Sequence, residues 1–335
     1  MSRGKGSLSL GPNTAFTSTA PSLETYWRGI ILFGRNVASY KFALGKALME
    51  LADQGKTFVT LEELADPFSR HLCQHLEKVD RQATSPASGF LESCRSFNRG
   101  EISKEQMNAV TARVGFVNVI DAFPKLNRER VPAEFYADER RTRGGITLGD
   151  DLFALRGAFQ YQNLPQEVEA RWRLVETAWE LGLPRHMLAV QYEEDGDLVV
   201  VALPGARRRE VTHGRHALNS YQKGRCFYCG TEIALETSAA NIAHVDHFVP
   251  RVLQRLDTVQ VNLNGVWNLV LACRDCNLSK SSRVPSVRLL ERLHRRNEHL
   301  IGSVACLRIA LPGVPVTCLK AIVPLPQSAA IQRNM

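Results

Sequence analysis

CFYCG at Cys226–Gly230, AHVDHFVP at Ala243–Pro250 and VWNLVLACRDCNLSK at Val266–Lys280 hold the decisive information in this 335-residue chain. Each of the two C-x-x-C pairs, Cys226/Cys229 and Cys273/Cys276, turns the backbone so that two sulfurs point to one spot. Together they supply the four soft ligands that tetrahedral zinc takes. Gly230 suits the tight turn that must follow the first pair. Four thiolates leave zinc no open coordination position, so the ion is expected to be a scaffold and not a catalyst. A lone C-x-x-C could equally be a redox pair. Four reduced core cysteines are the plain alternative, but the charged Arg274 and Asp275 inside the second pair fit a core poorly.

Between the pairs, Ala243–Pro250 and Val266–Ala272 read as strands, because apolar residues alternate or run together and Val, Phe and Trp are abundant. Asn277 to Arg283 reads as the polar start of a helix. The order is therefore strand, loop, strand, helix, with the cysteine pairs at the ends.

This combination, CFYCG, VDHFVP and WNLVLACRDCNLSK in that order, resembles the zinc-supported HNH endonucleases, the ββα-metal nuclease group, over roughly residues 215–283. The resemblance implies that His247 is the general base, and that Asp246 and Asn277 hold one Mg²⁺ or Mn²⁺. It groups Asn268 with His247 in catalysis, orienting the histidine or bracing the loop. Asn277 stands where many members of the family carry histidine, which makes this an H-N-N variant and bears on metal preference. Implied too are double-stranded DNA as substrate, nicks or double-strand breaks ending in 5′-phosphate and 3′-hydroxyl, and a role in bacterial restriction or anti-phage defence, with homing, transposition and phage packaging as alternative roles. Other subunits of such a system would then be candidate partners.

The chemistry is coherent without the family. Phosphodiester hydrolysis needs a base that titrates near neutrality, which histidine supplies, and a hard cation to neutralise charge on the phosphate and leaving oxygen. A carboxylate and an amide oxygen suit magnesium, which keeps several waters. Lys280 and Arg283 in the helix, and Arg251 after the first strand, are expected to meet phosphate oxygens. His244 shares a strand face with Asp246 and reads either as a further ligand or as a surface histidine. The competing function is a catalytically silent zinc module that binds nucleic acid or serves assembly. The intact Asp246, His247 and Asn277 argue against it, and the four-thiolate shell argues against a hydrolase that uses the zinc itself.

Charge divides along the chain. Residues 23–204 carry 22 Lys and Arg against 26 Asp and Glu, whereas residues 205–300 carry 15 against 8. The basic part attracts polyanions such as nucleic acid, and the acidic part is expected to cover that face and hold it inactive. No run of apolar residues reaches membrane-spanning length, the first twenty-two residues lack a signal-peptide core, and the eight cysteines are expected to be reduced in the cytoplasm. No Gly-rich phosphate loop calls for ATP or GTP.

The expected class is α+β. Residues 1–22, rich in Gly, Ser and Thr, are expected to be disordered. Residues 23–205 should form a mostly helical regulatory or partner domain with a small β-hairpin. Its apolar spacing runs on one helical face from Leu23 to about Ala52. Thr60 with Glu63, and Ser103 with Gln106, form potential capping boxes, and further helices are expected around Phe90 and from Gln166 to Leu181. A hairpin should turn at Asp195-Gly196. Leu203-Pro204-Gly205 marks the boundary to the nuclease-like domain at 206–300, and the acid-free tail at 301–335 has no readable element.

Overall fold

In the computed structural model, residues 22–33, 37–85, 88–126, 129–180, 190–193, 197–202, 208–235, 241–255 and 263–302 are described. The expected disordered segment and C-terminal tail lie almost entirely outside these residues, as does the Leu203–Gly205 boundary.

Leu23–Phe33 (α1) and Tyr40–Asp53 (α2) are separate helices, which corrects the continuous face expected from Leu23 to Ala52. Before α2, Ala38 forms an antiparallel bridge with Ala83, and both the amide and hydroxyl of Ser39 donate to the Gln82 carbonyl. That extended pairing replaces the i→i−4 bonds that would carry one helix through. Phe58–Thr60 (β1) leads into Leu61–Leu76 (α3), whose first turn is closed by the full Thr60/Glu63 capping box. Gly89–Asn98 (α4) and Lys104–Val110 (α5) follow, the latter opened by the Ser103/Gln106 box. Both boxes join residues three apart, which is why they can be read without tertiary information.

Val119–Ala122 (α6) precedes four short strands, Lys125–Leu126 (β2), Glu129–Arg130 (β3), Tyr136–Glu139 (β4) and Gly145–Leu148 (β5). The three-stranded order β1-β5-β4 was not expected, because no strand in it exceeds four residues. After Asp150–Arg156 (α7) comes Leu164–Glu180 (α8), which presents two faces. Val168, Trp172, Val175 and Trp179 enter the large core with α1–α3, while Ala170, Leu174 and Ala178 enter a second core with Cys226, Leu269 and Leu271.

Val190–Glu193 (β6) and Leu198–Ala202 (β7) pair antiparallel as expected of a hairpin, and the turn expected at Asp195-Gly196 lies outside the described residues. A third strand, Arg208–His213 (β8), pairs with β7, so the sheet runs across the point where the composition turns basic. Gly214–Gln222 (α9) packs on α8. The last elements are His244–His247 (β9), Leu269–Ala272 (β10), Arg274–Lys280 (α10) and Val287–Gly302 (α11). Val266–Asn268, expected as strand, is instead a single 3-10 turn ahead of β10.

A buried polar seam joins the two cores. Arg28 donates twice to Glu167, at 2.7 and 2.9 Å, and Asn219 of α9 donates to the same carboxylate at 2.7 Å. The Asn219 side-chain oxygen accepts from the Gly224 amide at 2.8 Å. Gly224 has φ +68° and no room for a side chain, since a β-carbon would lie 2.0 Å from Gln160. The approach to the first cysteine pair is thus set by residues of the N-terminal body.

Candidate active site and metal centre

The four cysteines converge. Their sulfurs all lie within 4.8 Å of one another, and Cys229 Sγ is 3.8 Å from Cys273 Sγ. A tetrahedral ion with metal–sulfur bonds of about 2.3 Å sets its sulfurs about 3.8 Å apart, so the cluster is compatible with zinc. Burial raises the Cys226 thiol. At Cys229 burial acts in the same direction, but the hydrogen bonds to Thr231, Cys226 and Cys276 outweigh it and bring the thiol down to about 7. Cys276 is pushed up by burial and by its three cysteine neighbours. Deprotonating one sulfur opposes the next, a conflict that a bound dication resolves. Gly230, at φ +78°, makes the turn after the first pair.

The strands β9 and β10 pair antiparallel with Asp246 opposite Val270 and His247 opposite Leu269. Leu269 and Leu271 face the core shared with α8, whereas Val270 faces Phe227, Phe248 and Trp267. Directly opposed residues share a face, so Asp246 lies on the side away from the N-terminal body. Among the described residues, α8 of the acidic body backs the ribbon on the face opposite Asp246.

Asp246, 8 % exposed, is held on both oxygens. Tyr228, between the cysteines of the first pair, donates its hydroxyl to Oδ2 at 2.5 Å. Lys280, at the end of α10, donates to Oδ1 at 3.0 Å and to the His247 carbonyl at 2.7 Å. Burial and then the Asp246 charge raise the Tyr228 phenol, which keeps it a donor. Lys280 is expected to meet phosphate, and the structure engages its ammonium with Asp246 and the His247 carbonyl. Its ammonium points inward to a carboxylate, because an unpaired buried ammonium is costly and Asp246 is its acidic neighbour. Asn277 is half-buried and precedes Lys280 by three residues, so both lie on one face of α10, the one turned to β9. Its side chain makes no hydrogen bond among the described residues.

His247, 7 % exposed, has Nε2 3.1 Å from Asn264 Oδ1. With that oxygen accepting, Nε2 carries the proton and the lone pair sits on Nδ1. Asn264 was not singled out in the sequence, where nothing distinguishes it from other loop asparagines.

Asn268 is fully buried and spends its side chain on the backbone. Its Oδ1 accepts from the Val249 amide at 2.7 Å, and its Nδ2 donates to the carbonyls of Val249 and Leu263 at 2.8 and 2.9 Å. Asn268 thus ties Val249 to Leu263 across the loop between β9 and β10. Its hold on Leu263 places the next residue, Asn264, against His247.

Arg283 is exposed and donates to the Ser279 carbonyl, and Arg251 is exposed in the short turn Arg251–Arg255. An open groove of about 430 Å³ lies over α10, lined by Tyr228, Cys276, Ser279, Lys280, Arg283 and Leu289 among others. It reaches the two side chains that grip Asp246. His244 begins β9, half-buried. From α11, Arg296 donates to the carbonyls of Trp267 and Leu269, and Asn297 donates to Trp267, fixing the turn that carries Asn268.

Residues 226–283 match the family model described as HNH endonuclease. No curated protein and no solved structure matches the chain significantly. No helix among the described residues is long and apolar enough to cross a membrane.

Proposed function

From the HNH endonuclease domain that this chain carries at residues 226–283, we propose that the protein is a metal-dependent DNA endonuclease with a ββα-metal site. The observation that supports it best is the convergence of the Tyr228, Asp246 and Lys280 side chains, drawn from both cysteine-bearing segments and β9, beside an open groove, with the Lys280 ammonium also on the His247 carbonyl. Zinc on Cys226, Cys229, Cys273 and Cys276 would hold these segments together.

In this reading Asp246 and Asn277 hold Mg²⁺ or Mn²⁺ through oxygen donors. When bound, the cation neutralises charge on the phosphate and on the departing 3′-oxygen. His247 Nδ1 removes a proton from the attacking water. The new bond forms between that water oxygen and phosphorus, the bond from phosphorus to the 3′-oxygen breaks, and the 3′-oxygen takes a proton from solvent. Asn264 keeps the His247 ring in the tautomer that this requires. Asn268 is a positioning residue, acting through the loop. Exposed Arg251 and Arg283 meet phosphates, and double-stranded DNA is the substrate. Restriction or anti-phage defence in a bacterial cytoplasm is the setting that such a nuclease with a large helical body fits by analogy.

The test is supercoiled plasmid incubated with the zinc-loaded protein in Mg²⁺ or Mn²⁺, with EDTA and His247→Ala controls. Nicked or linear product from the wild type alone supports the proposal, and their ratio separates nicking from double-strand cleavage. DNA binding without cleavage under all conditions would favour the silent zinc module.

A further inference from the structure

The Lys280 ammonium lies where cation chemistry is expected. It is bonded to Asp246 Oδ1 at 3.0 Å, to the His247 carbonyl at 2.7 Å and to the Ser281 carbonyl at 3.4 Å. The side chains of Lys280 and Asp246 are only 8 % and 10 % exposed. Lysine is almost never buried unless paired, and here the acceptors are the proposed metal ligand and the carbonyl of the proposed base.

Asp246 has little carboxylate left to offer. Oδ2 is taken by Tyr228, which is neutral and can stay when a cation binds to the same group. Lys280 on Oδ1 is charged, and two cations on one poorly solvated carboxylate repel. Its long stem gives the ammonium somewhere to go, because Lys280 also lines the open groove beside Ser279 and Arg283.

Resting on the reading of Asp246 as a metal ligand, we propose that Lys280 is a built-in competitor of the catalytic cation. The ammonium and the dication compete for Asp246, and a bound dication displaces the ammonium into the groove, where it meets the phosphate of the bound strand. The exchange keeps the carboxylate paired: it loses a singly charged ammonium as it gains a doubly charged metal, and the ammonium becomes available to nucleic acid only once the site is loaded. Lys280 is thus a positioning and metal-affinity-setting residue.

The competition predicts a direction that a merely supporting role does not. Binding of Mn²⁺ to the full-length, zinc-loaded protein is followed by the electron paramagnetic resonance signal of free Mn²⁺, without DNA. Lys280→Met should bind Mn²⁺ about tenfold more tightly than the wild type, and Asp246→Asn should abolish the site in both backgrounds. Lys280→Gln, which keeps a neutral donor for the His247 carbonyl, should also bind more tightly, and serves if the methionine variant does not fold. Unchanged or weaker binding in the folded variants, with Asp246 still required in the wild type, overturns the competition alone. Wild-type binding that is absent or indifferent to Asp246→Asn overturns both the competition and the metal-ligand reading beneath it.

Discussion

Tyr228 donates its hydroxyl to Asp246 Oδ2 across 2.5 Å, so a residue inside the first cysteine pair sets the orientation of the carboxylate proposed to hold the catalytic metal. Tyr228→Phe removes that bond and keeps the ring that stacks on Phe248. A hydrogen bond to a charged group contributes about 1.5–3 kcal/mol, and each 1.4 kcal/mol is about tenfold. Plasmid cleavage should therefore fall by at least about tenfold with zinc content and far-UV circular dichroism unchanged. Wild-type rates in this variant would show that cleavage does not need the Tyr228 hydrogen bond to Asp246.

Two asparagines near His247 should separate cleanly by readout. Asn268→Ala strands the Val249 amide and two carbonyls in a buried place, and should cost about 2–4 kcal/mol of stability, seen as a lower melting temperature. Asn264→Ala removes the group facing His247 Nε2, and should lower cleavage and alter its pH profile with little change in melting. The reverse pattern would assign the orienting role to Asn268.

These pairs also mark what sequence alone could reveal. The cysteine pairs, the capping boxes at Thr60 and Ser103, and the β6–β7 hairpin are fixed by residues a few positions apart, and each could be read directly. Tyr228 to Asp246, Lys280 to Asp246 and Asn264 to His247 span 18, 34 and 17 positions, and only the fold brings them together. Lys280 looked like a phosphate ligand because a lysine near a helix end is usually solvated. Its inward turn depends on where β9 lies against α10. The split between α1 and α2 was hidden for the same reason, since its cause is the pairing of Ala38 with Ala83.

Removing zinc should silence the nuclease without touching the catalytic residues. One grip on Asp246 comes from the first cysteine pair and the other from α10, which begins at the second pair. A strong zinc chelator, or Cys229→Ser, should lower the melting temperature of the C-terminal part and abolish cleavage. Added Mg²⁺ should not restore it, whereas Zn²⁺ followed by Mg²⁺ should restore the chelated wild type. Full activity in verified zinc-free protein would overturn this role.

His75 gives the N-terminal body a pH dependence of its own. It stacks on Trp172 at 3.5 Å and lies between Glu176 at 2.6 Å and Glu169 at 3.2 Å. Burial pulls its pKa down, but the hydrogen bonds and charges of Glu169 and Glu176 outweigh burial and leave it raised. A raised folded-state pKa gives stability that is complete below the unfolded value near about 6.5 and is lost as pH rises through the folded value. Melting temperature should accordingly fall on the alkaline side of about pH 6.5, and His75→Gln should flatten that slope while lowering stability at pH 6. Identical slopes in the two proteins would remove His75 as the cause.

The basic C-terminal part looks separable by composition, and release from an acidic cover would make a chain beginning at Arg207 hyperactive. The packing argues for the opposite result. Ala170, Leu174 and Ala178 of α8 are buried against the same core as Cys226, Leu269 and Leu271, which lines the back of β10. Asn219 draws on Glu167, Lys223 on Thr25, and β8 on β7, all contributed from upstream of residue 207. Cutting at Arg207 would expose that apolar face, remove Glu167 from Asn219 and leave β8 without β7. The truncated chain should aggregate or melt at least about 10 °C lower, and should cleave no faster than the full chain at temperatures where both are folded. A soluble fragment with raised cleavage would establish instead that the N-terminal body restrains the nuclease.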